Sequence, residues 1–184
     1  MVHDLDLTRS QYLQVLETCR SLYCKKLQDY GVAWRVLRHE SLTDQLYIKV
    51  MRIRSLERLG EARVNEGIIP EFIGIFNYAI MGQIQLLLGD TDNVDISTEE
   101  AIELYDRITK STFELMLDKN HDYGEAWRTM RIFSFTDLIL SKILRTKQIE
   151  DNHGLTLVSE GIEANYMDVA NYAIFALIRL VVEG

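Results

Sequence analysis

Near the end of the chain, Glu160, Asp168 and Asn171 stand at spacings that could bring oxygen ligands onto one face of a helix. At 100° per residue, Glu160 and Asn171 fall about 20° apart, and Asp168 about 80° from Glu160. Asp168 sits among Tyr166, Met167, Val169 and Ala170, where a lone carboxylate is costly unless it is paired or holds a cation. Hard oxygen donors with no histidine or cysteine among them suit magnesium or manganese rather than zinc. The same acids would equally serve as charges near a helix N-terminus or as structural partners of arginines.

Cations and aromatic rings recur at matched spacings. Lys142 and Arg145 fall at i, i+3, as do Lys49 and Arg52. An ordinary surface ion pair contributes at most about 1 kcal/mol, so the presence of both pairs in one chain argues that the fold or the function needs them. They would bind phosphate, or pair with Asp44, Asp137 or acids of a third helix. Trp34 and Trp127 are the only tryptophans; each is followed by an arginine, with a second arginine four residues on. An aromatic face beside a guanidinium could hold a base, but a large aromatic more often anchors its loop against the core. His121-Asp122 suggests metal phosphohydrolase chemistry, but Gln28 occupies the matching position and no other histidine has the needed spacing.

The matched spacings come from a duplication. Asp29-Tyr30-Gly31-x-Ala33-Trp34-Arg35 returns as Asp122-Tyr123-Gly124-x-Ala126-Trp127-Arg128, ninety-three positions later. Between Lys26 and Arg52, thirteen of twenty-seven residues are shared with the second copy. After a one-residue length difference, Glu66-Gly67-Ile68 matches Glu160-Gly161-Ile162, and Asn77 to Ile80 matches Asn171 to Ile174. Two units make a duplication and not a solenoid.

Each unit reads as three helices. The first is predicted from about Thr8 to Leu27, with Leu13, Leu16, Arg20 and Tyr23 at helical spacing, and is stopped by Asp29 to Gly31. Ser41-x-x-Asp44 looks like an N-cap opening a second helix through Ile48, Met51 and Leu56 to about Leu59, ended by Gly60. Pro70 suits the first turn of a third helix that ends at Gly89 and is apolar on most sides, which predicts a central, buried place. In the second unit, Ser97-x-x-Glu100 is a capping box, Ser134 to about Ile149 the second helix, and about Thr156 to Val182 the third. The expected fold is all-α: one compact domain over 1–184, a helical bundle of two tandem three-helix repeats, about 8–89 and 97–184. A pseudo-two-fold axis would relate them, because each unit alone has too little core.

Composition narrows the function classes. A chain that is 47% apolar and 26% charged is ordinary globular protein. A net charge of -8 argues against coating nucleic acid by neutralising phosphates. The two cysteines, Cys19 and Cys24, are spaced i, i+5 and support neither a disulfide nor a metal pair. Residues 1–10 lack the basic and apolar segments of a signal peptide. Phe72 to Leu88 and Tyr172 to Val182 read as too short, or too interrupted by polar residues, to span a bilayer. A soluble cytoplasmic protein with no membrane partner is expected; a nucleotide and a second copy of the chain are the partners left open.

Lys-x-x-Asp-Tyr-Gly-x-Ala-Trp, then Lys-x-x-Arg, then Glu-Gly-Ile-Glu-x-x-x-x-Asp-x-x-Asn-Tyr-Ala resembles the nucleotide modification associated domain 1 family of bacterial and phage proteins. That family's final helix is similar to the acidic helix of the all-α nucleoside triphosphate pyrophosphohydrolases, the MazG and dimeric dUTPase group, where carboxylates hold magnesium on a triphosphate. The resemblance implies nucleotide binding and hydrolysis to monophosphate and pyrophosphate. It assigns Glu160, Glu163 and Asp168 as magnesium ligands, Glu160 and Asp168 acting in catalysis. Asn171 would be their polar neighbour, Lys119 and Asp122 would sit at the mouth beside Trp127, and Lys142 and Arg145 near phosphates. The Glu-Glu-x-x-Glu motif of those enzymes is read on no helix, and their Glu-x-x-Asp pair reads Asn165-x-x-Asp168 in the second repeat and Glu71-x-x-Gly74 in the first, so the second is the expected working site. The competing reading is a non-catalytic nucleotide- or protein-binding helical module, and fold resemblance alone does not choose.

Overall fold

The apolar periodicities resolve into six α-helices in a computed structural model that describes residues 5–60 and 67–184. They are α1 Leu5–Tyr30, α2 His39–Leu59, α3 Ile68–Leu88, α4 Thr98–Tyr123, α5 Ile132–Asp151 and α6 Ile162–Leu177. No strand occurs among the described residues; Glu66, which heads the repeated Glu-Gly-Ile segment, lies outside them. Gly31 and Gly124 take the left-handed conformation at φ 64° and 62°, which stops the first helix of each repeat and turns the chain into a short 3₁₀ segment, Ala33–Val36 and Ala126–Thr129.

Several helix starts and faces differ from the sequence reading. Ser97 and Glu100 form the expected capping box, but Ser41 caps nothing. Its own N–H and that of Leu42 already bond to the Arg38 carbonyl, so α2 begins at His39, and α5 likewise begins behind Arg131. The last helix starts at Ile162, six residues later than expected, with Gly161 at its N-cap; Glu160 therefore lies outside it. At its other end α6 widens into a π-turn, Ile178–Val182. The buried stripe of α1 is Tyr12, Val15, Cys19, Tyr23 and Leu27, while Leu13 is exposed; on α2, Leu42, Leu46, Val50 and Ile53 are buried and Ile48 is exposed. In both cases the apolar residues outnumber the inward positions, and packing selects which set faces in.

α3 and α6 pack along each other at the centre, and one continuous core draws on all six helices. Ile68–Leu88 and Ile162–Val182 are in fact long and apolar enough to cross a membrane, which corrects the expectation from the sequence; two thirds of each apolar window is buried inside this bundle.

Contacts between the repeats are reciprocal. Thr43 donates to Glu150 at 2.6 Å and Thr136 to Glu57 at 2.7 Å; Lys147 pairs with Asp44, and Arg54 with Asp137. Most deeply, Tyr12 donates to Asn171 Oδ1 and Tyr105 to Asn77 Oδ1, both at 2.8 Å. The two asparagines donate in turn to the Cys19 and Thr112 carbonyls, both at 3.1 Å. Residue i meeting j while the equivalent of j meets the equivalent of i is the pattern that a two-fold relation between the repeats would produce.

Two predictions follow from these bonds. Tyr12→Phe and Tyr105→Phe each leave a buried asparagine oxygen without its donor, and each should cost about 1–2 kcal/mol in urea unfolding; a gap of more than about 1 kcal/mol between them would break the equivalence. Burial raises the Glu150 carboxyl above its ordinary range against the lowering effect of the Thr43 hydrogen bond, and burial raises Glu57 likewise. A raised carboxyl pKa means the native state holds the proton more tightly, so its charge weakens the fold above the folded pKa. Glu150→Gln should therefore raise the melting temperature at pH 7, with a gain that fades as the pH falls toward about 4.5; a gain that grows on acidification would refute the sign.

Candidate functional site

Each repeat forms a groove between its first and third helices, next to the tryptophan turn. In repeat one it is lined by Lys26, Trp34, Gly74, Asn77, Tyr78 and Met81. In repeat two it is lined by Met116, Lys119, Asp168, Asn171, Tyr172 and Phe175. Lys26 corresponds to Lys119, Gly74 to Asp168, Asn77-Tyr78 to Asn171-Tyr172, and Met81 to Phe175. The lysine comes from the last turns of the first helix, and the other residues project from the third helix at i, i+3, i+4 and i+7, one face of a helix.

The two grooves differ in volume and charge. Phe175 lies parallel on Trp127, with ring centroids 4.3 Å apart and planes 5° apart, and leaves a cavity of about 60 Å³. Met81 makes no such stack, and the groove of repeat one measures about 280 Å³, with Tyr23 and Tyr30 adding to its walls. Trp127 Nε1 is buried without a hydrogen-bond partner, and its ring carries the Arg128 guanidinium 4.4 Å from the centroid; Trp34 Nε1 is buried beside the Tyr23 hydroxyl. The Tyr23 hydroxyl donates to the Ala101 carbonyl, at 3.4 Å.

Asp168 is held between two lysines, Lys119 Nζ and Lys142 Nζ, each at 2.6 Å from a different carboxylate oxygen. Burial works against the Lys119 charge, but the Asp168 hydrogen bond and attraction, with a smaller pull from Glu160, raise its pKa. In repeat one the carboxylate stands one turn earlier: Glu71 pairs with Arg52 and with Lys49 Nζ at 3.4 Å. The Lys49 side chain fills the space where a Cβ on Gly74 would sit, its Cε 2.7 Å from that position. The lysines of the repeated Lys-x-x-Arg pairs thus bind acids of the third helix in both repeats, the structural alternative raised by the sequence.

The residues assigned from the sequence are only partly gathered. Lys119, Lys142, Asp168 and Asn171 meet around one groove, and Trp127 backs it through Phe175. Glu160 is exposed ahead of α6 and Glu163 is exposed in its first turn, so neither joins Asp168 in a ligand cluster. Asp122 is 75% exposed with His121 as its neighbour. Arg145, which loses an acidic partner because Asn165 replaces Glu71, lines a different concavity of about 760 Å³ between the end of α5 and residues 155–159. Leu157 and Val158 there are fully exposed, so its size measures open solvent more than enclosure. Among the described residues, the only three potential metal ligands within 4.8 Å of one another are His39, Glu40 and Asp90. Ile132 and Phe133 replace the first two in repeat two. Tyr23, Lys26 and Met81 were not assigned to a site from the sequence; the alignment of Met81 with Phe175 was the signal that could have found the larger groove.

Asp168→Asn strands the Lys142 ammonium, whose side chain is 16% exposed, and frees Lys119, which is 43% exposed. The expected loss is about 2–3 kcal/mol, below that of a fully buried pair because Lys119 stays in water. Adding Lys142→Met should restore most of it; a loss below about 1 kcal/mol in chemical denaturation would show that the lysine bridge is not structural.

The profile described as nucleotide modification associated domain 1 matches this chain over residues 26–86 and again over 119–180. No curated protein and no solved structure matches it. The two matched segments are the two groove-forming repeats and together span about two thirds of the sequence. The chain belongs to the nucleotide modification associated domain 1 family, with the domain present twice.

Proposed function

We propose that this is a cytoplasmic nucleotide-binding protein that needs no resident metal. The observation that carries the reading is the repeated groove itself, with a lysine at the mouth, a tryptophan turn at one end and an Asn-Tyr pair on the third helix. A cation beside aromatic walls suits a ligand with an anionic tail and a planar ring, and membership of a nucleotide-associated family makes a nucleotide the matching class.

Likeness to the MazG-type pyrophosphohydrolases would add magnesium-dependent hydrolysis, but the donor set does not fit a resident magnesium ion. Asp168 is already neutralised by two lysines, and Glu160 and Glu163 stand apart from it. The Glu-Glu-x-x-Glu spacing of those enzymes does occur, at Glu99-Glu100-Ala101-Ile102-Glu103, on the exposed first turns of α4. It lies roughly 25 Å along the helix from Lys119, and Glu100 is engaged in the capping box, accepting from the Ser97 N–H at 2.7 Å. Binding is therefore favoured over catalysis.

Melting curves with nucleoside mono- and triphosphates, in EDTA and in magnesium, test this. Nucleotide should raise the melting temperature in EDTA by an increment that grows as RT ln(1 + [L]/Kd), magnesium alone should not, and pyrophosphate should not be released. Magnesium-dependent pyrophosphate release would restore the hydrolase reading. Flat curves with every nucleotide at millimolar concentration would leave the protein-binding module.

A further inference from the structure

We propose that the groove of repeat one is an open slot for a planar aromatic ring carrying an anionic group, and that repeat two is the same slot filled by the chain's own side chains. The choice of a nucleoside 5′-phosphate as the ligand rests on the function proposed above.

The argument compares equivalent positions on α3 and α6. In repeat two, α6 supplies a carboxylate at Asp168 to Lys119 and a ring at Phe175 to the face of Trp127. In repeat one, α3 supplies neither, because Gly74 and Met81 stand there. Both losses fall on one helix face, seven residues or roughly 10 Å apart. Lys26 is thereby left exposed and without an ion-pair partner among the described residues, whereas its counterpart Lys119 is bridged to Asp168. Trp34 borders a void of about 280 Å³ where Trp127 carries a stacked ring. That volume lies just below the roughly 300–1,000 Å³ seen for sites that enclose a whole drug-sized ligand, as suits a slot that takes the ring alone.

The stack of Phe175 on Trp127 is thus an internal template: a parallel ring at 4.3 Å is what this pocket accepts when a ring is offered. A ligand that restores both missing groups needs a flat, apolar face and, about two helical turns away, a negative charge. A mononucleotide has both, with its base in the slot and its phosphate near Lys26. Lys49, already tied to Glu71, lies 5.6 Å from the centre of the Tyr78 ring and adds positive potential at the same mouth. The Asn77 amide is engaged on both sides by Tyr105 and Cys19, so it stiffens the floor of the slot and does not read the base. Discrimination among bases should accordingly be weak, as expected for recognition by stacking.

Isothermal titration calorimetry of the full chain with AMP, CMP, GMP and UMP, and with adenosine and inorganic phosphate, decides the matter. All four mononucleotides should bind with similar affinity, at one site per chain, and AMP better than adenosine or phosphate alone. Met81→Phe, which offers the ring that repeat two already has, should weaken AMP binding by about tenfold or more without lowering the melting temperature. Lys26→Gln, an exposed change that leaves the core intact, should weaken AMP about twofold to fivefold and leave adenosine unchanged. Nucleotide binding that ignores both substitutions would overturn the slot while leaving the chain a nucleotide binder. Binding to no nucleotide in the wild-type chain would remove both readings together.

Discussion

Everything in this bundle depends on two buried asparagines. Asn77 and Asn171 sit on the central helices α3 and α6, and each bonds a tyrosine of the other repeat's first helix and a carbonyl of its own. A buried amide with both ends satisfied fixes distance and register in a way that apolar packing does not, because any slip leaves a donor or acceptor stranded at a cost of about 1–3 kcal/mol. Four helices are tied by these two side chains, and the grooves lie directly beside them. The groove-facing side of each asparagine's helix is therefore held on a rigid frame.

Around that frame the electrostatics of the two repeats have drifted by one helical turn. Glu71 and Asp168 both neutralise the lysine of the second helix, but from positions three residues apart in the repeat register. The shift has opposite consequences at the groove. In repeat two the carboxylate faces the mouth and captures the lysine of the first helix as well. In repeat one it is drawn back toward Arg52, the Lys49 side chain lies over Gly74, and Lys26 is left without an ion-pair partner among the described residues. A duplicated unit can thus keep its fold with one carboxylate per repeat while one copy closes and the other stays open.

The ends of the third helices are held by another repeated device with divergent chemistry. Gln85 donates to the carbonyls of Arg35 and Leu37, and Arg179, at the matching position, donates to those of Arg128 and Met130. Both side chains close the tryptophan turn from two turns up the third helix. Arg35, almost wholly buried, then reaches the Gly89 carbonyl and Asp95, which fastens the segment joining the repeats. These contacts fix the backbone that follows each tryptophan.

The sequence by itself determined the duplication, the all-α class, the glycine stops at Gly31, Gly60, Gly89 and Gly124, and the central place of α3 and α6. Each of these follows from local chemistry: left-handed backbone at a helix end, apolar residues around a whole helix, and identity at a fixed offset. It also singled out Lys119, Lys142, Asp168 and Asn171, four residues that do meet. It misjudged Glu160 because a helix drawn back to residue 156 puts that acid on a face it does not occupy; the loop ends only at Gly161. Which repeat is open was decided by tertiary structure, which sets Met81 and Phe175 against the two tryptophan turns. The volume of a groove depends on the ring opposite each tryptophan, and the partner of each lysine depends on which turn of a neighbouring helix carries the acid. Both are distances between residues about fifty apart in sequence, which no periodicity within a single helix contains.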